Sequence, residues 1–306
     1  MSDSLSRLTT EESSSHHMEL DLMSVREIIE AMNEEDQTVA LSVRKELPRI
    51  EEAIEAVVRC LQSGGRLVYA GAGSSGRMGL LDAAECPPTF GVEPALVTAL
   101  LAGGQEAMLR AVEDAEDDAD AGKRAVHDTL TNKDVLVGIA ASGRTPYVLG
   151  AIEAASQLGA VTVGLACNKD TPLGRAADYP IEIALGPEVL AGSTRLKGGT
   201  AQKMTLNMIS TAAMIRLGKV YGNLMVNVQA TNDKLRHRVV RIIREATGAD
   251  EETAERCSRQ ANGDAGLAIL MIQHQATMEE ASQALQETNR HFRQAGVRLA
   301  NRLRQL

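Results

Sequence analysis

Arg66-Leu67-Val68-Tyr69-Ala70-Gly71-Ala72-Gly73-Ser74-Ser75-Gly76-Arg77 is the stretch that decides the fold. An apolar run over 66–70 stops abruptly in glycines and serines, and a helical pattern follows to about Glu85. Strand, tight turn and helix are predicted in that order. Glycines let the backbone turn sharply and approach a ligand. The free N–H groups of the helix start, with the Ser74 and Ser75 hydroxyls, favour an anion. The glycine spacing alone would also suit a dinucleotide, but no acidic residue ends a second strand about 20 residues on. A strand–helix turn with no ligand would use the same residues.

Working outward, further short apolar strands are predicted at 95–100, 134–140, 161–167 and 179–184. Helical patterns lie between most of them, at 104–112, 119–129 and 146–158. Short buried strands alternating with helices predict an α/β fold, a three-layer αβα sandwich around a parallel sheet. Ligands of such sheets sit beyond the carboxyl ends of the strands. Upstream, residues 1–21 read as a poorly ordered polar arm that packs on a partner subunit. Ser24 is a predicted N-cap for a helix bearing Val25, Ile28, Ile29 and Met32 on one face. A second helix is predicted over 36–62, with Pro48 as a kink or break. After Gly192 the pattern returns to helix over 200–217. Residues 231–306 read as polar-faced helices with Asp250 and Asp264 as N-caps. The expected organisation is 1–56 as N-terminal arm and helices, 57–220 as the α/β domain and 221–306 as a small C-terminal helical bundle.

Composition narrows the function. The 306 residues carry 32 basic and 41 acidic side chains, a net charge of −9, which argues against a nucleic-acid binder. There is no Trp and there are only two Phe, so base stacking has no platform. Cys60, Cys86, Cys167 and Cys257 stand apart, in no metal-binding spacing, as expected of reduced cytoplasmic thiols. No apolar leader segment and no membrane span is expected.

Five stretches could carry chemistry. The first is the turn at Gly73, Ser74, Ser75, Gly76 and Arg77. The second, Ser142-Gly143-Arg144-Thr145, also follows a strand, and Pro146 suits the first helical position after it. Two hydroxyl-rich turns of one design read as a monophosphate ester pocket without a Walker lysine. In the third, Glu85 is placed at the end of its helix with Pro87-Pro88 just beyond, an unfavourable site for an anion against the helix dipole. The fourth, 113–120, holds six acids in eight positions. Such a run is a solvated face or a source of one carboxylate for proton transfer. The fifth, Glu188 to Lys203, sets Ser193, Thr194 and Lys197 at a helix start suited to an anion, or to a plain cap with surface cations. Cys86 has no activating His nearby, and His127 and His237 read as surface or structural.

The two hydroxyl-rich turns resemble the sugar isomerase (SIS) phosphosugar-binding domain. More narrowly, the blocks GAGSSGRMGLLDAAECPPTFG (71–91), GIAASGRTPYV (138–148), EVLAGSTRLKGGTAQKMTLNMIST (188–211) and GKVYGNLMVNVQATNDKL (218–235) resemble the N-acetylmuramic acid 6-phosphate etherase family. The ECPPTFG and GSTRLKGGTAQK blocks are shared with its relative, the glucokinase regulatory protein. The resemblance implies a cytoplasmic homodimer without metal or cofactor. Its activity would be cleavage of the D-lactyl ether of N-acetylmuramate 6-phosphate in peptidoglycan amino-sugar recycling. The family's catalytic glutamates fall on Glu85, as proton donor, and Glu116, as base. An aldose–ketose phosphosugar isomerase or a non-catalytic sugar-phosphate sensor would share the fold. The sensor relative is a longer chain with two SIS domains, and only one is visible here.

Overall fold

The computed structural model describes residues 9–13, 19–110, 112, 114–228 and 233–304. The chain divides into two compact units: Met1–Ala84 with Pro94–Ser210, and Glu85–Glu93 with Thr211–Leu306.

The first unit opens with two helices, α1 (Val25–Lys45) and α2 (Leu47–Gln62). Ser24 caps α1 through a capping box with Glu27, as its sequence predicts. The break falls at Glu46, because Pro48 is accommodated in the first turn of α2, where no N–H is needed. There is no boundary at residue 36, and α1 runs through it. Thereafter strands and helices alternate: β1 (Leu67–Gly71), α3 (Gly73–Phe90), β2 (Val97–Leu101), α4 (Glu106–Leu109), α5 (Ala119–Thr129), β3 (Val135–Ile139), α6 (Pro146–Leu158), β4 (Val161–Ala166), α7 (Pro172–Ala176), β5 (Tyr179–Glu182) and α8 (Lys197–Arg216).

All five strands are parallel, in the order β2-β1-β3-β4-β5. Tyr69 stands opposite Ala99 on one side and Val137 on the other. Pro180, which lacks an N–H, falls on the edge strand β5. Successive side chains of a strand point to opposite faces. A Cβ at Gly79 of α3 would meet Tyr69 and Ile139, whereas one at Gly138 would meet Val148 and Ile152 of α6. Helices α3 and α6 therefore cover opposite faces, and the three layers expected from the sequence are present. Val68, Leu136 and Ala140 join Val126, Val148 and Ile152 in one buried cluster.

Two expectations are corrected. Helix α3 does not stop at Glu85 but continues through Pro87 and Pro88 to Phe90. Proline's fixed φ suits a helix, and what it removes is the N–H bond to the carbonyl four residues back. Glu85 therefore does not sit at a helix C-terminus, and the dipole argument loses its footing. The helix expected over 104–112 is only α4, because residues 102–105 form a turn. The arm also behaves differently where it is described. Thr10 is buried against its own chain: Asn168 Nδ2 donates to Thr10 Oγ1 (2.9 Å), and Gly192 N donates to Thr10 O (3.3 Å). Asn168 is itself buried, so its amide requires such partners. Residues 1–8 and 14–18 of the arm lie outside the described residues.

The second unit holds α9 (Asp233–Thr247), α10 (Glu251–Gln260), α11 (Ala265–His274), α12 (Met278–Glu287) and α13 (Phe292–Leu303). Val239, Ile243, Leu270, Leu285 and Phe292 form its core. Asp250 and Asp264 accept from Thr253 N (2.7 Å) and Leu267 N (2.9 Å), the two caps expected from sequence. The expected start of this tail at residue 231 lies outside the described residues.

At the base of the sheet, the buried Asp134 accepts from Arg66 Nη2 (2.7 Å), Arg66 N (2.8 Å) and Thr131 N (2.8 Å). Burial works to raise its pKa, but the Arg66 guanidinium and these donors outweigh it and hold the carboxyl below its ordinary value. A lowered acid pKa contributes stability above the unfolded value that is lost as pH falls through the folded one. Asp134→Ala is expected to cost roughly 3 kcal/mol at pH 7 in urea denaturation. That deficit should shrink as pH falls below about 4, where the unfolded carboxyl takes up its proton, and vanish once the folded carboxyl is protonated at lower pH.

Candidate active site

The strand order reverses between β1 and β3, with β2 beyond one and β4 beyond the other. A crevice opens at the carboxyl ends of such a pair, where the chain departs to opposite faces. Both hydroxyl-rich turns fall there, one after β1 and one after β3.

The first turn is compressed to backbone contact. A Cβ at Gly71 would lie 2.7 Å from Gly76 Cα, and one at Gly76 would lie 2.5 Å from Gly71 O. The first i→i−4 bond of α3 runs from Gly76 N to Ala72 O (3.1 Å), so the N–H groups of residues 73–75 precede the helical ladder. Ser74, Ser75 and Arg77 are half-buried around them. Arg77 Nε donates to Ala107 O (3.0 Å), which ties the turn to the segment after β2.

The second turn is held at Gly143, whose φ of 67° is left-handed and whose added Cβ would lie 2.4 Å from Thr171 Cβ. Gly143 N donates to Ala140 O (2.9 Å), and Leu173 N donates to Gly143 O (3.0 Å). Arg144 N donates to Ser142 Oγ (3.2 Å), while Arg144 Nε is buried with no partner. Thr145 is the N-cap of α6, and its side chain makes no capping bond.

Beside the first turn lies a cleft of about 290 Å³ lined by Gly73, Ser74, Arg77, Arg110, Asp114 and Glu116, among others. Asp114 and Glu116 of the acidic run are both among its lining residues. The Glu116 carbonyl accepts from Tyr147 N (3.0 Å) in the first turn of α6. The run is therefore anchored on the helix that follows the second turn. Close packing of α5 on α6 sets this spacing, since a Cβ at Gly122 would lie 2.0 Å from Tyr147 O and one at Gly150 would lie 2.1 Å from Ala119 O. Asp118 does not face the cleft but caps α5 through Ala121 N (2.8 Å). Glu113 lies outside the described residues. Glu85 is exposed on α3 and is not a lining residue of this cleft.

The fifth stretch is corrected in part. The anion at the start of α8 is the chain's own Glu188, buried, accepting from Lys197 N and Gly198 N (2.9 Å each). Lys197 is not free for a ligand. Its side chain is buried, and Nζ pairs with Glu35 of α1 (2.5 Å) and donates to Leu185 O (3.2 Å). An ammonium removed from water needs such partners. Ser193 and Thr194 are half-buried, and Thr194 lies against Gly198, which abuts Ala141 of the second turn.

Sequence reading missed Gln202. It is 1% exposed, and its Nε2 donates to Ser75 Oγ (3.0 Å). The signal was available: a polar side chain one turn after Gly198, next to the apolar Ala201 and Leu206. The four cysteines are buried and none is in a disulfide. Burial and the Glu188 charge push the Cys167 thiol up to about 12, so it is no nucleophile. His127 and His237 are exposed, as expected.

Comparison with known proteins places the chain in a family. The family profile of the glucokinase regulatory protein N-terminal SIS domain matches residues 49–156, and that of the SIS domain matches 109–212. The N-acetylmuramic acid 6-phosphate etherase of Geobacillus sp. (strain WCH70) is 54% identical over 292 residues, covering 95% of this chain and 99% of that protein. N-acetylmuramic acid 6-phosphate etherase 2 of Enterococcus faecalis (strain ATCC 700802 / V583) is 53% identical, covering 94% and 98%. That of Vibrio cholerae serotype O1 (strain ATCC 39315 / El Tor Inaba N16961) is 50% identical, covering 95% of each chain. Sheet order, turns and profiles together define a SIS domain. The chain belongs to the N-acetylmuramic acid 6-phosphate etherase family.

Gly64 and Gly143 separate two effects of substitution. Both have positive φ, but a Cβ at Gly64 meets nothing within 4 Å. Gly64→Ala should show backbone strain alone, roughly 1 kcal/mol. Gly143→Ala adds the Thr171 collision and should lose clearly more in thermal unfolding, with the second turn displaced.

Proposed function

We propose that this chain cleaves the D-lactyl ether of N-acetylmuramate 6-phosphate to N-acetylglucosamine 6-phosphate and D-lactate. The observation that carries this reading is identity of 50–54% to etherases over nearly their whole length. The cleft adds a carboxylate, Glu116, beside a phosphate-type turn. In this proposal Gly73, Ser74, Ser75, Gly76 and Arg77 act with Ser142, Gly143, Arg144 and Thr145 to bind the substrate at its phosphate end, joined by Ser193 and Thr194. Holding the ester there orients the sugar carbons for reaction.

An alkyl ether resists direct hydrolysis. Opening the sugar ring places an aldehyde at C1, which acidifies the C2 proton. Glu116 takes that proton as Glu85 gives one to the lactyl oxygen, and the C3–O bond breaks to leave a C2–C3 double bond. Water then adds in reverse: its oxygen goes to C3 with loss of a proton, and C2 is reprotonated. Two carboxyl groups used in opposite protonation states complete the cycle. The pairing of Glu85 with Glu116, and their order, rest on the family resemblance.

Reaction in ¹⁸O-water is expected to put label at the C3 hydroxyl of the sugar and none in the lactate. Label in the lactate, or no lactate at high enzyme concentration, overturns the elimination. Glu85→Gln and Glu116→Gln should each lower kcat by roughly 10²–10⁴-fold. Only Glu85→Gln should still exchange the C2 proton with deuterated solvent.

A homodimer is part of the proposal. Leu22, just before α1, and Val25 and Ile29 in its first turns are exposed, the last two one turn apart on one face. Sedimentation equilibrium should return twice the chain mass, and a monomer at micromolar concentration would remove the dimer from the proposal. No helix among the described residues is long and apolar enough to cross a membrane. A cytoplasmic location is proposed from four cysteines that form no disulfide.

A further inference from the structure

Helix α8 grips the first turn and its helix at two levels. At the lower level Asp82 of α3 is buried and accepts from Tyr69 Oη (2.7 Å), Asn207 Nδ2 (2.7 Å) and Ser210 Oγ (3.0 Å). Burial raises its pKa against the pull of these donors. Both of its oxygens are engaged, and this contact ties α3 to α8. At the upper level stands Gln202, two turns of α3 away, at Ser75. Here the accounting does not close: Nε2 bonds Ser75 Oγ, but Gln202 Oε1 is buried with no partner. A buried amide kept for packing would have both ends satisfied or be apolar, because an unsatisfied buried acceptor is destabilising.

We infer that Gln202 is a positioning residue for phosphate recognition, setting the direction of the Ser75 hydroxyl. A serine hydroxyl has one proton to donate and lone pairs to accept. With Gln202 N–H bonded to the hydroxyl oxygen, the Ser75 proton is left for an acceptor other than Gln202, such as an anion held at the first turn. A phosphate dianion offers only acceptors, so a hydroxyl presented proton-first suits it and one presented oxygen-first does not. Gln202 touches no reacting atom in this role and acts through Ser75. The inference deepens the proposed function and depends on it for the ligand.

The test separates binding from folding. Gln202→Met keeps the length of the side chain and removes both polar ends. Its Tm should equal or exceed that of wild type, because the orphaned acceptor is gone. Its Kd for N-acetylglucosamine 6-phosphate, by calorimetry, should rise roughly tenfold, the worth of one hydrogen bond to a charged group. Gln202→Glu should weaken binding further, since a carboxylate draws the Ser75 proton toward itself. In a Ser75→Ala background Gln202→Met should change Kd by less than twofold, because the hydroxyl it directs is absent. A lowered Tm with unchanged Kd in Gln202→Met would show a packing residue and overturn the inference, as would a full tenfold effect without Ser75. Failure of the wild-type chain to bind this ligand would overturn the proposed function instead.

Discussion

The active end of the sheet depends on one close approach, the backbone contact of Gly71 with Gly76. A Cβ on either residue would collide with the other's main chain. Because neither has one, β1 turns directly into α3 with Ala72 alone between the two elements. That tightness places the first N–H groups of α3 and the Ser74 and Ser75 hydroxyls at the strand end, not some residues beyond it. Arg77 then lies within reach of Ala107, and the cleft against the acidic run exists because the helix starts where it does.

Electrostatics sort the helix starts into those that are filled and those left open. The start of α8 is closed by Glu188, so the cation beside it, Lys197, is turned inward to Glu35. The first turn of α6 takes the Glu116 carbonyl, a neutral partner that anchors the acidic run without cancelling the positive end of the helix. The start of α3 has hydroxyls around it and Gln202 behind. A single anion-loving motif thus recurs at three helix starts, and that of α8 is closed by an acid of the chain itself.

Much of the fold was legible because it is local. The five strands lie within two residues of their expected limits, since short apolar runs bounded by glycine and polar residues carry their own signal. Ser24, Asp250 and Asp264 were readable as caps because a cap acts on N–H groups two or three residues away. The passage of α3 through Pro87 and Pro88 was not legible. Proline breaks most helices, but its fixed φ suits one, and α3 runs on to Phe90 before Gly91. Lys197 was misread because its partner Glu35 is 162 residues away in sequence.

The sequence by itself determined the alternation of strand and helix, the caps, the two hydroxyl-rich turns and the family blocks, all of which are written in neighbouring residues. Only the tertiary structure decided which of those groups face the crevice. It set β1 beside β3, brought Glu116 to the first turn by packing Gly122 against Gly150's helix, and gave Lys197 to Glu35. It also put Gln202 behind Ser75. The physical reason is range. Backbone preference and capping act over a few residues, whereas burial and hydrogen-bond satisfaction pair groups that only the folded chain makes neighbours.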